Sequence, residues 1–361
     1  SIEWAKTIQE DLKRRDFTIN ALAFDGTDII DLFDGQKHLR DKIIVAVGDP
    51  DVRFSEDALR LMRAVRIATE LGFMIEEKTR ASMTQNAQAI SRVSGERIRD
   101  ELFKILASEN CAEGILFLKN TTLLHHILPE VDLCFSIPQK SPGRHHIYDV
   151  GTHLVMALKL CPNSDVIVRL ATLLHDIGKA PTYKKDEKTG LITFFNHEHV
   201  GADMTSAIAD RLHLSKEQKH KLITLVRYHM FTVSEKQTDK AIRRFIRNVG
   251  KQYLFDILDL RIADRLGSGA RLTSWRTELF KKRLEEVQKE PFKVTDLTID
   301  GHDVMNVLQL KPGRAIGEIL DTLFTEVAEH RLTNEREKLL SYLSDRFSNK
   351  DKSGTATNGD E

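Results

Sequence analysis

Beyond Gly48-Asp49-Pro50 the apolar residues recur at helical spacing almost to the end of the chain. That recurrence confines the fold to a mainly α, multi-domain one. Ahead of it lie two short β runs, Thr18 to Phe24 and Asp28 to Leu32, joined by Asp25-Gly26, a dipeptide suited to a tight hairpin. From Ala58 the spacing predicts a helix ending near Gly72, with Ser55 as its N-cap and Glu56 and Asp57 in the first turn. Another helix is expected from about Glu96 to Ala107, and a small hairpin from Tyr183 to Phe195 around Lys188-Thr189-Gly190. Pro138 to Gly143 reads as a linker and Gly267-Ser268-Gly269 as a second break. The stretch from about Ser348 lacks large apolar residues and is expected to be disordered. The 361 residues therefore divide into segments 1–49, 50–137, 138–266, 267–347 and 348–361.

Fifty-four basic residues balance 54 acidic ones. No global field marks the chain for nucleic acid, although a local basic face suffices. Arg243-Arg244-Phe245-Ile246-Arg247 and the stretch from Arg276 to Arg283 are candidates for such a face, with a merely solvated helix face the blander reading. No run approaches the roughly 20 apolar residues of a membrane span, and no signal peptide opens the chain. Cys111, Cys134 and Cys161 have neither a metal-ligand spacing nor an even count. Free, mostly buried thiols and a cytoplasmic location are the expectation. Ser1, not Met, begins the chain, which points to an incomplete or trimmed sequence.

Arg60 follows Asp57 by three residues and Glu56 by four, a spacing that puts the three side chains on one helix face. A carboxylate accepts the exocyclic amino proton of cytosine or adenine, and a guanidinium donates to the ring acceptor beside it. A rigid Asp57–Arg60 pair would copy the hydrogen-bonding edge of a template base and reject U and G. By spacing alone, an ordinary helix start with an ion pair worth about 0.2–0.5 kcal/mol is the simpler reading.

The surrounding segments reverse that preference. Arg14-Arg15-Asp16-Phe17-Thr18-Ile19-Asn20-Ala21 resembles, almost letter for letter, a signature block of the class II tRNA nucleotidyltransferases, the CCA-adding enzymes and bacterial poly(A) polymerases. Asp31-Leu32-Phe33-Asp34-Gly35 is similar to the next block, although the usual Asp-Leu pair stands here as His38-Leu39. Phe54-Ser55-Glu56-Asp57-Ala58-Leu59-Arg60 with Arg63 resembles the nucleotide-selecting block, and Ser94-Gly95-Glu96-Arg97-Ile98 the short block that closes the neck. Leu297 to Asp303 and Leu310 to Gly317 are similar to the family's tail. The resemblance implies ATP, CTP and a tRNA or other RNA 3′ end as partners, with no membrane. It implies that Asp57 and Arg60 read the incoming base. Arg14, Arg15, Asp16 and Asn20 would belong to the nucleotide site, approaching triphosphate and sugar, and Arg63 would support them.

In that family two aspartates on an early strand, after a glycine-rich loop, hold the Mg2+ ions of nucleotidyl transfer. Neither element precedes Arg14, where the only acids are Glu3, Glu10 and Asp11. Metal stabilisation is worth several kcal/mol, and each ~1.4 kcal/mol is tenfold in rate. The chain as it stands is therefore expected not to add nucleotides efficiently, either because the sequence is truncated or because a remnant of the palm is left.

His153, the adjacent pair His175-Asp176 in Leu173-Leu174-His175-Asp176-Ile177-Gly178-Lys179, then His197, His229 and Asp264 lie on successive predicted helices. Such a nitrogen and oxygen set suits Mn, Fe, Ni or Mg better than a thiolate-type zinc site. A lone His-Asp dipeptide is weak, but the ordered series is similar to the HD phosphohydrolase superfamily. That resemblance implies His153, His175, Asp176 and Asp264 as ligands of a divalent metal, with His197 and His229 on a second metal or a phosphate. Lys179 would position a phosphate or end a helix in solvent. His125-His126, His145-His146 and His302 carry less: the first pair reads as structural, His146 as a neighbour of the site entrance, and His302 as a cap or an RNA contact.

The segments thus become a short β remnant of a palm, a helical neck, an HD-type helical domain and a helical RNA-binding tail. The leading expectation is addition of CCA or A to RNA 3′ ends. An HD-type metal phosphohydrolase acting on phosphomonoesters or 2′,3′-cyclic phosphates, and a non-catalytic RNA-binding protein, are the alternatives.

Overall fold

A computed structural model describes residues 6–139, 148–231, 234, 237–269, 275–288, 294–329 and 331–347. His145, His146 and the expected disordered tail lie outside them. The chain divides into two compact units, Ser1–Phe231 with Gln252–Leu272, and Thr232–Lys251 with Thr273–Glu361.

In the first unit, strands Leu22–Phe24 and Ile29–Asp31 pair antiparallel with Ala23 opposite Ile30. Asp25 Oδ1 accepts the Thr27 and Asp28 amides at 2.8 and 2.9 Å, and Gly26 takes φ 106° at the turn, a conformation glycine adopts at little cost. The expected strand from Thr18 begins only at Leu22, because Thr18–Asn20 forms a 3-10 turn. Local polar groups compete for extended structure there: Thr18 Oγ1 meets His38 Nδ1 at 2.8 Å, and Asn20 Nδ2 donates to Asp16.

The helical start expected at Ser55 lies elsewhere. Asp49 caps the helix Pro50–Glu56, accepting the Asp51 amide at 3.1 Å with proline in the first turn, and Ser55 merely donates back to the Val52 carbonyl. The chain turns extended at Asp57 and resumes as the helix Leu59–Leu71, which stops at Gly72 with φ 65°. Leu61, Met62, Ala64, Val65 and Ala68 line its buried face. The helices Gly95–Ala107 and Cys111–Asn120 pack on this helix.

The rest of this unit is a helical layer. Val150–Lys159 packs on Leu254–Gly267, and Val166–Leu174 lies against both Lys216–Tyr228 and Leu254–Gly267. Asp149, Asp165 and Ser215 cap three of these helices, Ser215 in a capping box with Gln218. The insert forms the expected hairpin, Lys184–Lys185 against Ile192–Thr193.

The second unit gathers the helices Asp239–Val249, Trp275–Gln288, Gly301–Leu308, Arg314–Ala328 and Arg336–Phe347. Leu297, Val304, Leu323, Leu339 and Leu343 are among the buried residues of its core. Asp300 caps the helix Gly301–Leu308, with Asp303 completing a capping box, and the His302 amide donates to Asp300. Among the described residues no helix is long and apolar enough to cross a membrane.

Candidate functional site

Two groups of side chains converge in the first unit. In one, Arg14 and Arg15 follow the helix Ile8–Lys13 and turn back on Asp11, with Nη2 atoms 2.5 and 2.7 Å from its carboxylate oxygens. Their guanidinium ends remain about half exposed. Asp16 is buried. Its Oδ2 accepts from Arg63 Nε at 2.7 Å, and its Oδ1 accepts from the Phe17 amide at 2.9 Å and Asn20 Nδ2 at 3.3 Å. Asp16, Asn20 and Arg63 therefore form one knot that fixes the turn after Arg15.

Arg60 ties three segments together. Its Nη1 donates to the Arg53 carbonyl at 3.0 Å and pairs with Glu56, and its Nη2 donates to the Arg14 carbonyl at 2.9 Å. The single helix face expected for Glu56, Asp57 and Arg60 is interrupted at Asp57. There the carboxylate accepts the Leu59 amide at 3.0 Å and so serves the start of the next helix. The other Asp57 oxygen meets Arg97 Nη2 at 2.9 Å. Partial burial alone would raise the Asp57 carboxyl, but the Leu59 amide and Arg97 hold it below its ordinary range. Beside this pair lies a cleft of about 570 Å³, lined by Ser55, Asp57, Asn86, Arg92, Val93 and Arg97. Arg97 was visible only as part of a block; no local pattern links it to an acid 40 residues earlier.

The other group is the histidine-rich centre, where all six expected side chains meet. His153 comes from the helix Val150–Lys159, and His175 and Asp176 from the end of Val166–Leu174. His197 opens the helix His197–Arg211, His229 closes Lys216–Tyr228, and Asp264 lies in Leu254–Gly267. His153 Nε2 lies 3.2 Å from His175 Nε2 and 3.3 Å from Asp264 Oδ1. Asp176 spans both halves: Oδ2 is 3.3 Å from His175 Nε2, and Oδ1 is 3.2 and 3.6 Å from the Nε2 atoms of His197 and His229. Gly178 permits this convergence, since a Cβ there would come within 2.1 Å of the His197 carbonyl oxygen.

The outward nitrogens are already engaged. The Nδ1 atoms of His175, His197 and His229 lie 2.8, 2.9 and 2.7 Å from the carbonyls of Thr172, Phe194 and Val226. Donation from Nδ1 turns each Nε2 inward as a ligand. The Nε2 atoms of His197 and His229 are buried without a hydrogen bond, the first badly angled toward Asp176 at 3.2 Å and the second 3.6 Å away from it. Two trios, His153 with His175 and Asp264, and Asp176 with His197 and His229, each bring their ligand atoms within 4.8 Å of one another. Burial would raise Asp176 and Asp264, yet Lys179 beside the first and the imidazoles of His153 and His175 beside the second hold both well below the usual range. Burial opposes charge on His175 too, but Asp176 and Asp264 lift it to about 10. Burial keeps His229 below its ordinary value. The centre as a whole calls for positive charge, and the donor set fits a divalent cation.

Over the centre lies a cleft of about 440 Å³ whose lining includes Lys179, Phe195, Met230 and Arg261. Lys179 is held by Asp176 at 2.6 Å and by Gln139 at 2.7 Å. Arg261 donates to Asp264 Oδ2 at 2.8 Å and so turns the other oxygen toward the histidines. Sequence reasoning missed Arg261, although its i,i+3 spacing from Asp264 was a usable signal; nothing local marked Gln139. His125 faces Asp132 at the surface, 3.2 Å from its carboxylate.

Residues 1–45 match the Poly A polymerase head domain, residues 72–134 the "Probable RNA and SrmB- binding site of polymerase A", and residues 186–343 tRNA nucleotidyltransferase domain 2. The A-adding tRNA nucleotidyltransferase of Deinococcus radiodurans is 35% identical over 88% of this chain and 74% of its own length. The CC-adding tRNA nucleotidyltransferase of Thermus thermophilus is 33% identical over 91% and 76%. Among solved structures, the Bacillus stearothermophilus CCA-adding enzyme in complex with CTP superposes with a TM-score of 0.68 at 23% identity, covering 97% of this chain and 77% of that one. The chain belongs to the class II tRNA nucleotidyltransferase family.

Proposed function

We propose that this protein transfers nucleotides from CTP and ATP to the 3′ end of tRNA, as CCA or as a terminal A. The observation that carries the reading is the tethering of Arg60 three residues after Asp57, the acid that lines the cleft with Arg97. Three of the five guanidinium donors are committed to Arg53, Glu56 and Arg14, which leaves Nε–H and one Nη2–H for a base. Asp57, kept ionised, offers an acceptor for an exocyclic amino group. Together they present the donor and acceptor order that C and A satisfy and that U and G do not. The half-exposed Arg14 and Arg15 supply charge for the triphosphate, and the Asp16–Arg63 knot holds their backbone. Among the described residues no ligand trio for the transfer metal, Mg2+ by family resemblance, stands beside them. Their contribution is recognition of base and phosphate. Arg60→Ala is expected to weaken ATP and CTP binding in calorimetry while leaving tRNA affinity nearly unchanged; equal nucleotide affinity in variant and parent sinks the base-reading role.

The six-residue centre favours a second activity in the same chain, that of an HD-type phosphohydrolase. His153, His175, Asp176 and Asp264 would hold a divalent ion (Mn, Ni, Fe or Mg), with His197 and His229 available to a second ion or a phosphate. Such an ion, when bound, gives Lewis-acid activation of a phosphoester. Arg261 orients Asp264, and Lys179 lies at the cleft wall where a phosphate oxygen would enter. Failure of the purified chain with Ni2+ or Mn2+ to hydrolyse a 2′,3′-cyclic phosphate or a model phosphomonoester would remove this second reading and leave the first intact.

A further inference from the structure

The cleft over the histidine-rich centre has two unlike parts. Its charged part is occupied by ion pairs, Lys179 with Asp176 and Arg261 with Asp264. Its apolar part is Phe194, Phe195 and Met230. Phe194 is half-buried, its ring centroid 6.0 Å from that of Tyr183 and 5.4 Å from Lys179 Nζ. Phe195 is 75% exposed and Met230 57% exposed, although both stand beside histidines of the centre. Phe195 precedes His197 by two residues, and Met230 follows His229 directly. The backbone at both places is fixed by those histidines. The Phe194 carbonyl lies 2.9 Å from His197 Nδ1 and accepts the His197 amide at 3.3 Å, and the Val226 carbonyl lies 2.7 Å from His229 Nδ1. Asn196, at φ 59°, turns the chain from the strand Ile192–Thr193 into the helix His197–Arg211. The hairpin insert thus carries an exposed ring to the mouth of the cleft.

A single exposed apolar side chain needs no explanation. Two of them on fixed backbone, at the mouth of a buried polar centre, leave apolar surface in water where a ligand of that centre would cover it. A phosphate alone meets only the charged part and leaves this lip wet. A phosphate ester whose alcohol carries a flat ring meets both parts, with its charge at the centre and its ring face against Phe195. The Met230 thioether, polarisable and adaptable, suits the edge of such a ring. At about 440 Å³ the cleft falls within the roughly 300–1,000 Å³ of sites that hold small molecules. We propose that Phe195 and Met230 form a stacking lip that selects mononucleoside phosphate esters over phosphate esters without a ring. The proposal rests on the phosphohydrolase reading above, and adds to it the part of the substrate that lies away from the phosphate. Every base has a π-face, so the lip prefers a base to none and does not choose among the four.

The test uses the full chain with Mn2+ or Ni2+ and compares guanosine 2′,3′-cyclic phosphate with glycerol 1,2-cyclic phosphate, which has the same reacting group and no base. Guanine is refused by the Asp57–Arg60 pair, so its binding reports on this cleft. Losing one base–aromatic stack costs roughly five- to 150-fold in affinity. The kcat/KM of the parent should therefore favour the guanosine ester by at least about tenfold. Phe195→Ala should cut that ratio roughly tenfold, chiefly through KM, Met230→Ala should cut it less, and Phe195→Trp should keep it. Calorimetry with guanosine 3′-monophosphate makes the same comparison without turnover. Both residues are exposed, so the fold should survive, and melting curves check that it does. A ratio near one in the parent, or a ratio and a guanosine 3′-monophosphate affinity that survive Phe195→Ala, overturns the lip alone. A parent that hydrolyses neither ester overturns the phosphohydrolase reading beneath it. A preference seen only with a trinucleotide bearing the same cyclic end moves the substrate to an RNA terminus and overturns the proposal. So does a Phe195→Ala chain that keeps the ratio but loses self-association on gel filtration, which gives the lip to a second copy.

Discussion

Removing the Asp16 carboxylate should loosen the start of the first unit more than any other single change among the expected nucleotide-site residues. Asp16→Ala deletes the acceptor for Arg63 Nε, for the Phe17 amide and for Asn20 Nδ2. Phe17 is fully buried, so its amide loses its acceptor with no water to replace it, at a cost of about 1–3 kcal/mol. Arg63 is 36% exposed in its side chain and can re-solvate, so the ion pair adds about 1 kcal/mol and not the larger figure of a fully buried pair. The sum is about 2–4 kcal/mol, and at roughly 2–4 °C per kcal/mol for a unit of this size the melting temperature should fall by about 8 °C. Asp16→Asn keeps an acceptor for Phe17 and should lose about half as much. Urea melts of parent, Asp16→Ala, Arg63→Ala and the double variant measure this, with a coupling of about 1 kcal/mol expected between the two sites. An Asp16→Ala protein within 0.5 kcal/mol of the parent, by the same melts, would refute the anchoring argument.

Gly178→Ala forces a Cβ to within 2.1 Å of the His197 carbonyl oxygen and 2.6 Å of the Gly201 amide, both backbone atoms that yield only by moving the helix His197–Arg211. The variant should lose about 1–3 kcal/mol and most of its Mn2+-induced rise in melting temperature, because His197 is displaced from Asp176; an unchanged melt and Mn2+ response would contradict this. Burial pushes the Cys134 thiol up to about 12 and raises Cys111 and Cys161 as well, which leaves little thiolate at pH 8. Ellman's reagent should label at most the half-buried Cys161 in the native chain and all three after unfolding, and rapid native labelling of two or more would contradict the burial.

The sequence was most legible where local chemistry decides structure. Asp25-Gly26 announced its hairpin because few dipeptides suit that turn, and Gly72 announced a helix end because it accepts a left-handed conformation. The helix Gly95–Ala107 and the hairpin around Lys188-Thr189-Gly190 were readable for the same reason. The six residues of the histidine-rich centre were readable because their order resembles that of the HD phosphohydrolases. What escaped depended on partners far away in the chain. The break at Asp57 follows from a choice between continuing a helix and capping the next one, and Arg97 fixes the carboxylate from 40 residues off. Apolar spacing cannot see either. Likewise the helix Asp239–Val249 lies within the span expected for the metal-binding domain, yet it clusters with the C-terminal unit, because helix periodicity shows that a face is buried and not against what.

Base selection by Asp57 and Arg60 is the centre of the account, and calorimetry with CTP and UTP on the parent and on Asp57→Asn tests it most directly. C and U differ at the group Asp57 would face: an amino donor in one, a carbonyl acceptor in the other. One mismatched hydrogen bond is worth about 1–3 kcal/mol, so the parent should bind CTP at least tenfold more tightly than UTP. The asparagine amide can donate as well as accept, and that ratio should collapse toward one. Equal affinities for CTP and UTP in the parent, or a ratio that survives Asp57→Asn, would contradict it.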